Sequence, residues 1–181
     1  VLFRSSQDDI DYIRTRHHNP RYLPAAHFDI HKLRLTTDPG EVIRHSDYIV
    51  ISIPSAYAVQ ALRELDRNIF AGKKIISAIK GVLPDSNLLL NEYLKKEFNL
   101  ELKDYFAVLG PCHAEEVAAE KLSYLTFTGI DEATTHAIAS CFKTPYLNTV
   151  ENNDIFGVQF AAVLKNIYAV GSGIAHGLDY G

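Results

Sequence analysis

Short runs of β-branched residues, each followed by a helical stretch, recur along this chain and constrain its fold more than any other feature. Residues 48–53, YIVISI, lie between Asp47 and Pro54 and predict a strand. The run is apolar on both faces, as in a central strand of a parallel sheet. Ser55 then caps a helix expected over residues 55–65, with Val59, Leu62 and the aliphatic stem of Arg63 near one face. A second buried run, IISAI at residues 75–79, follows the turn Gly72-Lys73-Lys74 and ends at Lys80-Gly81. Two such strands joined by one helix predict a right-handed βαβ crossover.

The alternation continues with a helix over residues 86–98, a strand over 105–110, a helix over 114–120 and a strand over 123–129. A helix over 132–142 and a short strand over 146–150 complete it. The predicted class is therefore α/β with a mainly parallel sheet. Ligands of such sheets bind beyond the carboxyl ends of the strands, which directs attention to residues 54–55, 80–81 and 110–113.

From Asp154 the texture changes to DIFGVQFAAVLKNIYAVGSGIAHGL, a helix rich in Ala and Gly and apolar nearly all round. A helix without a polar face is expected to be buried among others. It reads as the first helix of a second, all-helical domain, which divides the chain into residues 1–152 and 153–181. Gln159 and Asn166 are seven residues apart and nearly eclipsed on it, with Lys165 beside that stripe.

Composition narrows the classes further. The chain has 181 residues, starts at Val1 and contains no Met, so it reads as a piece of a longer protein. With 47% hydrophobic residues it is rich enough for a packed core, which excludes a disordered chain. Its 18 Lys and Arg against 22 Asp and Glu give a net charge of -4 and no general field for nucleic acid. The uncharged stretch 166–178 falls short of the ~20 residues of a membrane span, so no membrane association is expected. Cys112 and Cys141 form no Cys-x-x-Cys pair, which suits a reducing cytoplasm. The opening VLFRSS lacks the apolar core of a signal peptide and reads as a native strand end or an added scar.

Lys165 is the most suggestive single residue. Buried in an apolar helix, its ammonium group would have a depressed pKa and exchange protons near neutrality; alternatively its stem covers apolar surface and its head reaches water. Lys80 leaves a buried strand beside a glycine, where a cation can meet an anion or the pair can simply make a turn. The strand-to-helix turn from Gly110 to Glu116 offers free amide groups to phosphate, and helix capping explains it nearly as well. Cys112 beside His113 invites a thiol-nucleophile reading, but sequence neighbours rarely face each other. His27 and His31 have metal-like spacing without a third ligand, so no metal site is expected. Tyr57 reads as packing. A Gly-x-Gly-x-x-Gly fingerprint is absent; Gly171-Ser172-Gly173 with Gly177 has the wrong spacing and follows a helix.

Taken in order, five segments resemble the bacterial-type NAD(P)-dependent glycerol-3-phosphate dehydrogenases. Asn19-Pro20-Arg21-Tyr22-Leu23-Pro24 is similar to that family's Asn-x-x-(Phe/Tyr)-Leu-Pro, Ile53-Pro54-Ser55 to its Val-Pro-Ser, and Ile79-Lys80-Gly81 to its Thr-Lys-Gly. Gly110 to Glu116 is similar to Gly-Pro-(Ser/Thr)-Phe-Ala-x-Glu, and Asp154 to Gln159 with Leu164-Lys165-Asn166 to the helix opening the catalytic domain. The resemblance runs from about Asn19 to Gly181.

It implies an incomplete Rossmann-type domain, with the first βα unit upstream of Val1, followed by the start of an all-helical catalytic domain. The implied reaction is hydride transfer between NAD(P)H and dihydroxyacetone phosphate, giving sn-glycerol 3-phosphate for phospholipid synthesis. The implied protein is cytoplasmic and homodimeric, uses NAD or NADP, and takes a small phosphorylated substrate. Lys165 is the implied proton donor and acceptor. Lys80 would touch both substrate and cofactor, Gly110, Cys112 and Asn166 would line the substrate, and Ala114 and Tyr57 would lie at the cofactor. Phe3-Arg4 would be the end of the second strand. Cys112 and His113 replace the family's hydroxyl residue and Phe, and Ile79 replaces its Thr. The alternatives are a related two-domain hydroxyacid dehydrogenase and a non-catalytic nucleotide-binding module. Residues 1–181 alone are expected to be inactive.

Overall fold

The computed structural model describes residues 1–4, 6–84 and 86–180. At the amino end a short strand β1 (Leu2–Phe3) is followed by helix α1 (Gln7–Arg16). Asp8 and Asp9 in the first turn of α1 and Arg14 and Arg16 in the last oppose the helix dipole, and His17 ends it in a left-handed conformation. Strand β2 (Leu35–Thr36) pairs with β1 in parallel, and helix α2 (Pro39–Arg44) starts at Asp38, whose side chain accepts from the Gly40 amide. Phe3 therefore ends a strand, as the resemblance implied.

The main sheet holds β3 (Tyr48–Ile51), β4 (Lys74–Ser77), β5 (Tyr105–Leu109), β6 (Ser123–Thr128) and β7 (Leu147–Asn152), in that spatial order. Only the β5/β6 pair is antiparallel, so the sheet is mainly parallel as expected. Between these strands run α3 (Ser55–Leu62), α4 (Leu90–Phe98), α5 (Ala114–Ala118) and α6 (Glu132–Phe142). The helix expected from residue 86 starts later, at Leu90, because Leu83 and Leu88 first pair in a small antiparallel bridge. Residue 85 of that segment lies outside the described residues.

Two apolar clusters hold the layers. Ile49, Ile75, Tyr105 and Ala107 pack on one face against Leu94 and Phe98 of α4 and Ala58 and Leu62 of α3. Ile76, Phe106, Val108 and Phe127 pack on the other against Ile138 and Ala139 of α6. Burial of side chains of this size contributes about 1.5–3 kcal/mol each.

Three expectations need correction. β3 is an edge strand of the five-stranded sheet, not a central one, and its Tyr48 and Val50 are each 51% exposed. Among the described residues no element covers that face. The long apolar helix forms as expected, as α7 (Ile155–Gly177), but only Ile155 and Gln159 of it are buried. Its first turns lie against β5 and β6, while Ile167, Val170 and Ile174 stand out in solvent. An apolar face is covered only where other chain is present to cover it. Finally, α7 is long and apolar enough to cross a membrane, since such a span tolerates one lysine, so the uncharged length of 166–178 excludes nothing. What ties α7 to the sheet here is the burial of Ile155 and Gln159.

Candidate active site

The site forms where the strands end and α7 crosses them. The ladder between β3 and β4 runs on past Ser77, with the Ala78 amide donating to the Ile51 carbonyl at 2.9 Å. Lys80 follows, and Gly81 turns the chain at a φ of 108°, a conformation open to glycine at little cost. Beside it β5 ends at Leu109, and Gly110 follows. A Cβ there would lie 2.9 Å from the Tyr124 carbonyl oxygen, so the close approach of β6 excludes any side chain. The next turn is tight, with the Cys112 amide donating to the Gly110 carbonyl at 2.9 Å.

Asp154 caps α7 through the Gly157 amide at 2.8 Å, and Gln159 anchors it. The Tyr105 hydroxyl donates to Gln159 Oε1 at 2.9 Å, and the Gln159 amide donates to Asn91 Oδ1 at 3.1 Å and the Ile155 carbonyl at 3.0 Å. Gln159 is thus an anchor in the core. Val158, Ala161, Ala162 and Lys165 recur at the spacing of one helical face.

That face closes a pocket of about 470 Å³. Lys80 enters it from the end of β4, and Leu109, Gly110 and Pro111 from the end of β5. Thr126 of β6 and Asn152 of β7 form another wall, and α7 supplies Val158, Ala161, Ala162, Lys165 and Asn166. Two ammonium groups and no carboxylate line it, so it favours an anion. The small side chains Ala161 and Ala162 leave room beside Lys165.

Of the residues singled out in the sequence, Lys80, Gly110, Lys165 and Asn166 are brought together here. Cys112 is half-buried and Ala114 is exposed at the start of α5; neither lines the pocket. Tyr57 lies on α3, 62% exposed and outside the pocket. Lys165 itself is exposed, which matches the second of its two readings, a head that reaches water. Glu115 and Glu116 occupy the first turn of α5 and complement its positive end, so the two-lysine pocket is the better anion site. The His27 ring meets those of His17 and His18 edge-on at 5.2 and 5.3 Å. Among the described residues no group of three or more His, Cys, Asp or Glu is placed to hold a metal ion.

Thr126 and Asn152 were not singled out in the sequence. Nothing there separates Thr126 from any other threonine in a β-rich run. Val158, Ala161 and Ala162 did carry a signal, their spacing relative to Lys165.

Comparison with known proteins points to one family. Residues 1–135 match the family described as NAD-dependent glycerol-3-phosphate dehydrogenase N-terminus. The chain is 31% identical over 185 residues to glycerol-3-phosphate dehydrogenase [NAD(P)+] of Pediococcus pentosaceus, covering 100% of this chain and 54% of that protein. It is 33% identical over 183 residues to the enzyme of the same name from Syntrophotalea carbinolica, again covering 100% of this chain and 54% of the relative. The chain thus spans about half the length of the curated relatives it matches. Among solved structures, glycerol-3-phosphate dehydrogenase from Coxiella burnetii superposes with a TM-score of 0.84 at 25% identity, over 99% of this chain and 54% of that one. The Plasmodium falciparum glycerol-3-phosphate dehydrogenase gives 0.83 at 25% identity, over 97% of this chain and 49% of that one. The chain belongs to the NAD-dependent glycerol-3-phosphate dehydrogenase N-terminus family.

Proposed function

We propose that the full-length protein interconverts dihydroxyacetone phosphate and sn-glycerol 3-phosphate with NAD(P)H and NAD(P)+. The observation that carries this reading is that Lys80, after β4, and Lys165, on α7, line one small pocket whose lining holds no carboxylate. A phosphorylated three-carbon substrate fits that charge and size. Residues 1–152 are then part of a dinucleotide-binding domain, and 153–181 begin a helical catalytic domain.

The residues present fit the reacting end of a nicotinamide dinucleotide. Gly110 leaves the floor of the pocket open at the carboxyl end of β5, where a Cβ would strike β6, and Lys80 offers a cation at the end of β4. When bound, NAD(P)H supplies the hydride. Lys165 holds the proton that passes to the substrate carbonyl oxygen on reduction and takes it back on oxidation. Its positive charge also stabilises the oxyanion as the bond to carbon changes order. Lys80 binds phosphate or cofactor, and Asn166 orients the substrate beside Lys165. Gly110 shapes the substrate side, with Cys112 in the turn beside it, while Ala114 and Tyr57 lie toward the cofactor. A cytoplasmic homodimer feeding phospholipid synthesis is the setting this reading implies.

The test is oxidation of NAD(P)H by the full-length protein with dihydroxyacetone phosphate, wild type against Lys165→Ala. Loss of a positioned proton donor lowers kcat by about 10²–10⁴. Equal turnover by the two would remove Lys165 from the mechanism. Turnover of unphosphorylated hydroxy acids alone would transfer the protein to a different dehydrogenase class.

A further inference from the structure

Thr126 reaches the pocket through an accident of strand direction. β5 and β6 are antiparallel, so Leu109, the last residue of β5, pairs with Thr126 in the middle of β6. Directly paired residues in an antiparallel ladder present their side chains to the same face. Leu125 and Phe127 pack toward α6, which leaves Thr126 on the opposite face, under α7. There it lines the pocket with Lys80, Gly110, Lys165 and Asn166.

Thr126 is half-buried, and among the described residues its hydroxyl makes no hydrogen bond within the chain. The neighbouring Asn152 has its Oδ1 engaged, accepting from the Asp154 amide at 3.1 Å, and keeps its Nδ2 donors. The rest of the wall contributed by strands and by the β5 turn is apolar or glycine: Leu109, Gly110 and Pro111. Cys112, on the turn, does not line the pocket.

We propose that Thr126 is a substrate-orienting residue, whose hydroxyl hydrogen-bonds an oxygen of the phosphorylated hydroxyketone held between Lys80 and Lys165. This rests on the functional reading above and deepens it. Two lysines select an anion by charge, but neither fixes its rotation in the pocket. A short, χ1-restricted hydroxyl on a strand does so at little entropic cost.

The test is steady-state kinetics of the full-length protein carrying Thr126→Val, which keeps the shape and removes the hydroxyl, and Thr126→Ser, which keeps the hydroxyl. Thr126→Val is expected to raise KM for dihydroxyacetone phosphate about 2- to 13-fold, the range of one neutral hydrogen bond. KM for NAD(P)H stays at the wild-type value, and Thr126→Ser restores the substrate KM. A substrate KM unchanged in Thr126→Val overturns the proposal, as does an equal rise in both KM values or a failure of Thr126→Ser to restore affinity. A wild-type protein that turns over no dihydroxyacetone phosphate overturns the functional reading itself and this assignment with it. Wild-type turnover with an unaltered Thr126→Val variant sinks the assignment alone.

Discussion

The Tyr105 hydroxyl donates a 2.9 Å hydrogen bond to Gln159 Oε1, and both side chains are buried. The bond ties the middle of the sheet to α7 at a single rotation about the helix axis. Lys165 lies six residues farther along, about 9 Å of helix rise, so the same anchor sets which way it points.

Removing the donor exposes that dependence. Tyr105→Phe leaves Gln159 Oε1 buried without its partner, a loss of about 1–3 kcal/mol. Urea unfolding of the variant should show a lower midpoint with an unchanged slope. A wild-type midpoint would mean that the bond adds nothing.

Tyr105 also gives stability a pH dependence on the alkaline side. Burial pushes its phenol pKa far above the ordinary 10.0, because the phenolate is poorly solvated there. The contribution is fully present below about pH 10, where folded and unfolded chains both hold the proton. Above that the unfolded chain ionises first, and stability falls by about 1.4 kcal/mol per pH unit until the folded group titrates too. Denaturation midpoints from pH 8 to 11.5 should fall more steeply in wild type than in Tyr105→Phe. Parallel curves would contradict the assignment.

Lys80 should act on substrate binding more than on the chemical step. In the full-length protein Lys80→Ala is expected to raise KM for dihydroxyacetone phosphate by about 10- to 150-fold, the range of a charge-assisted hydrogen bond. Added salt should weaken substrate binding more in wild type than in the variant, since mobile ions screen an exposed cation. Initial-rate kinetics at two ionic strengths check both points, and an unchanged KM would place Lys80 outside the substrate contact.

Gly110 tests the close approach of two strands. In Gly110→Ala the new Cβ would lie 2.9 Å from the Tyr124 carbonyl oxygen, and backbone cannot swing aside as a side chain does. Separating β5 from β6 there should cost about 1–3 kcal/mol and lower Tm. A variant as stable as wild type would show that the strands part freely at that end.

The bare half of α7 predicts the solution behaviour of residues 1–181. Ile167, Val170 and Ile174, at 63%, 63% and 59% exposure, form part of an apolar surface that water does not favour. Sedimentation velocity should show concentration-dependent association. The pair Ile167→Glu and Ile174→Glu should reduce it without altering the far-ultraviolet spectrum, and a wild-type chain that stays monomeric at high concentration would refute the idea.

Strand identity was legible wherever a β-branched run was bounded by a turn, as at 75–79 before Lys80-Gly81 and at 105–110 before Pro111. Helix α6 was legible to the residue, because Asp131 caps it and the run ends at Phe142. The amino-terminal third was not. α1 has two buried residues, Ile10 and Ile13, too few to set a period, and β1 and β2 are two residues each. The edge position of β3 was also hidden, because an apolar strand reads the same whether or not a neighbour covers it.

By itself the sequence determined the alternation of strands and helices, the glycines that free the turns at Lys80 and Gly110, and the positive charge of Lys80 and Lys165. Those properties are local, carried by side-chain shape, backbone freedom and charge. Tertiary structure alone decided that Lys80 and Lys165, 85 positions apart in the chain, face one pocket, and that Thr126 joins them while Cys112 does not. It also made Gln159 a core anchor and left Lys165 exposed. The reason is physical: which side chains meet depends on strand order, on the antiparallel turn of β6 and on the rotation of α7, and each of these is set by contacts between segments remote in the chain.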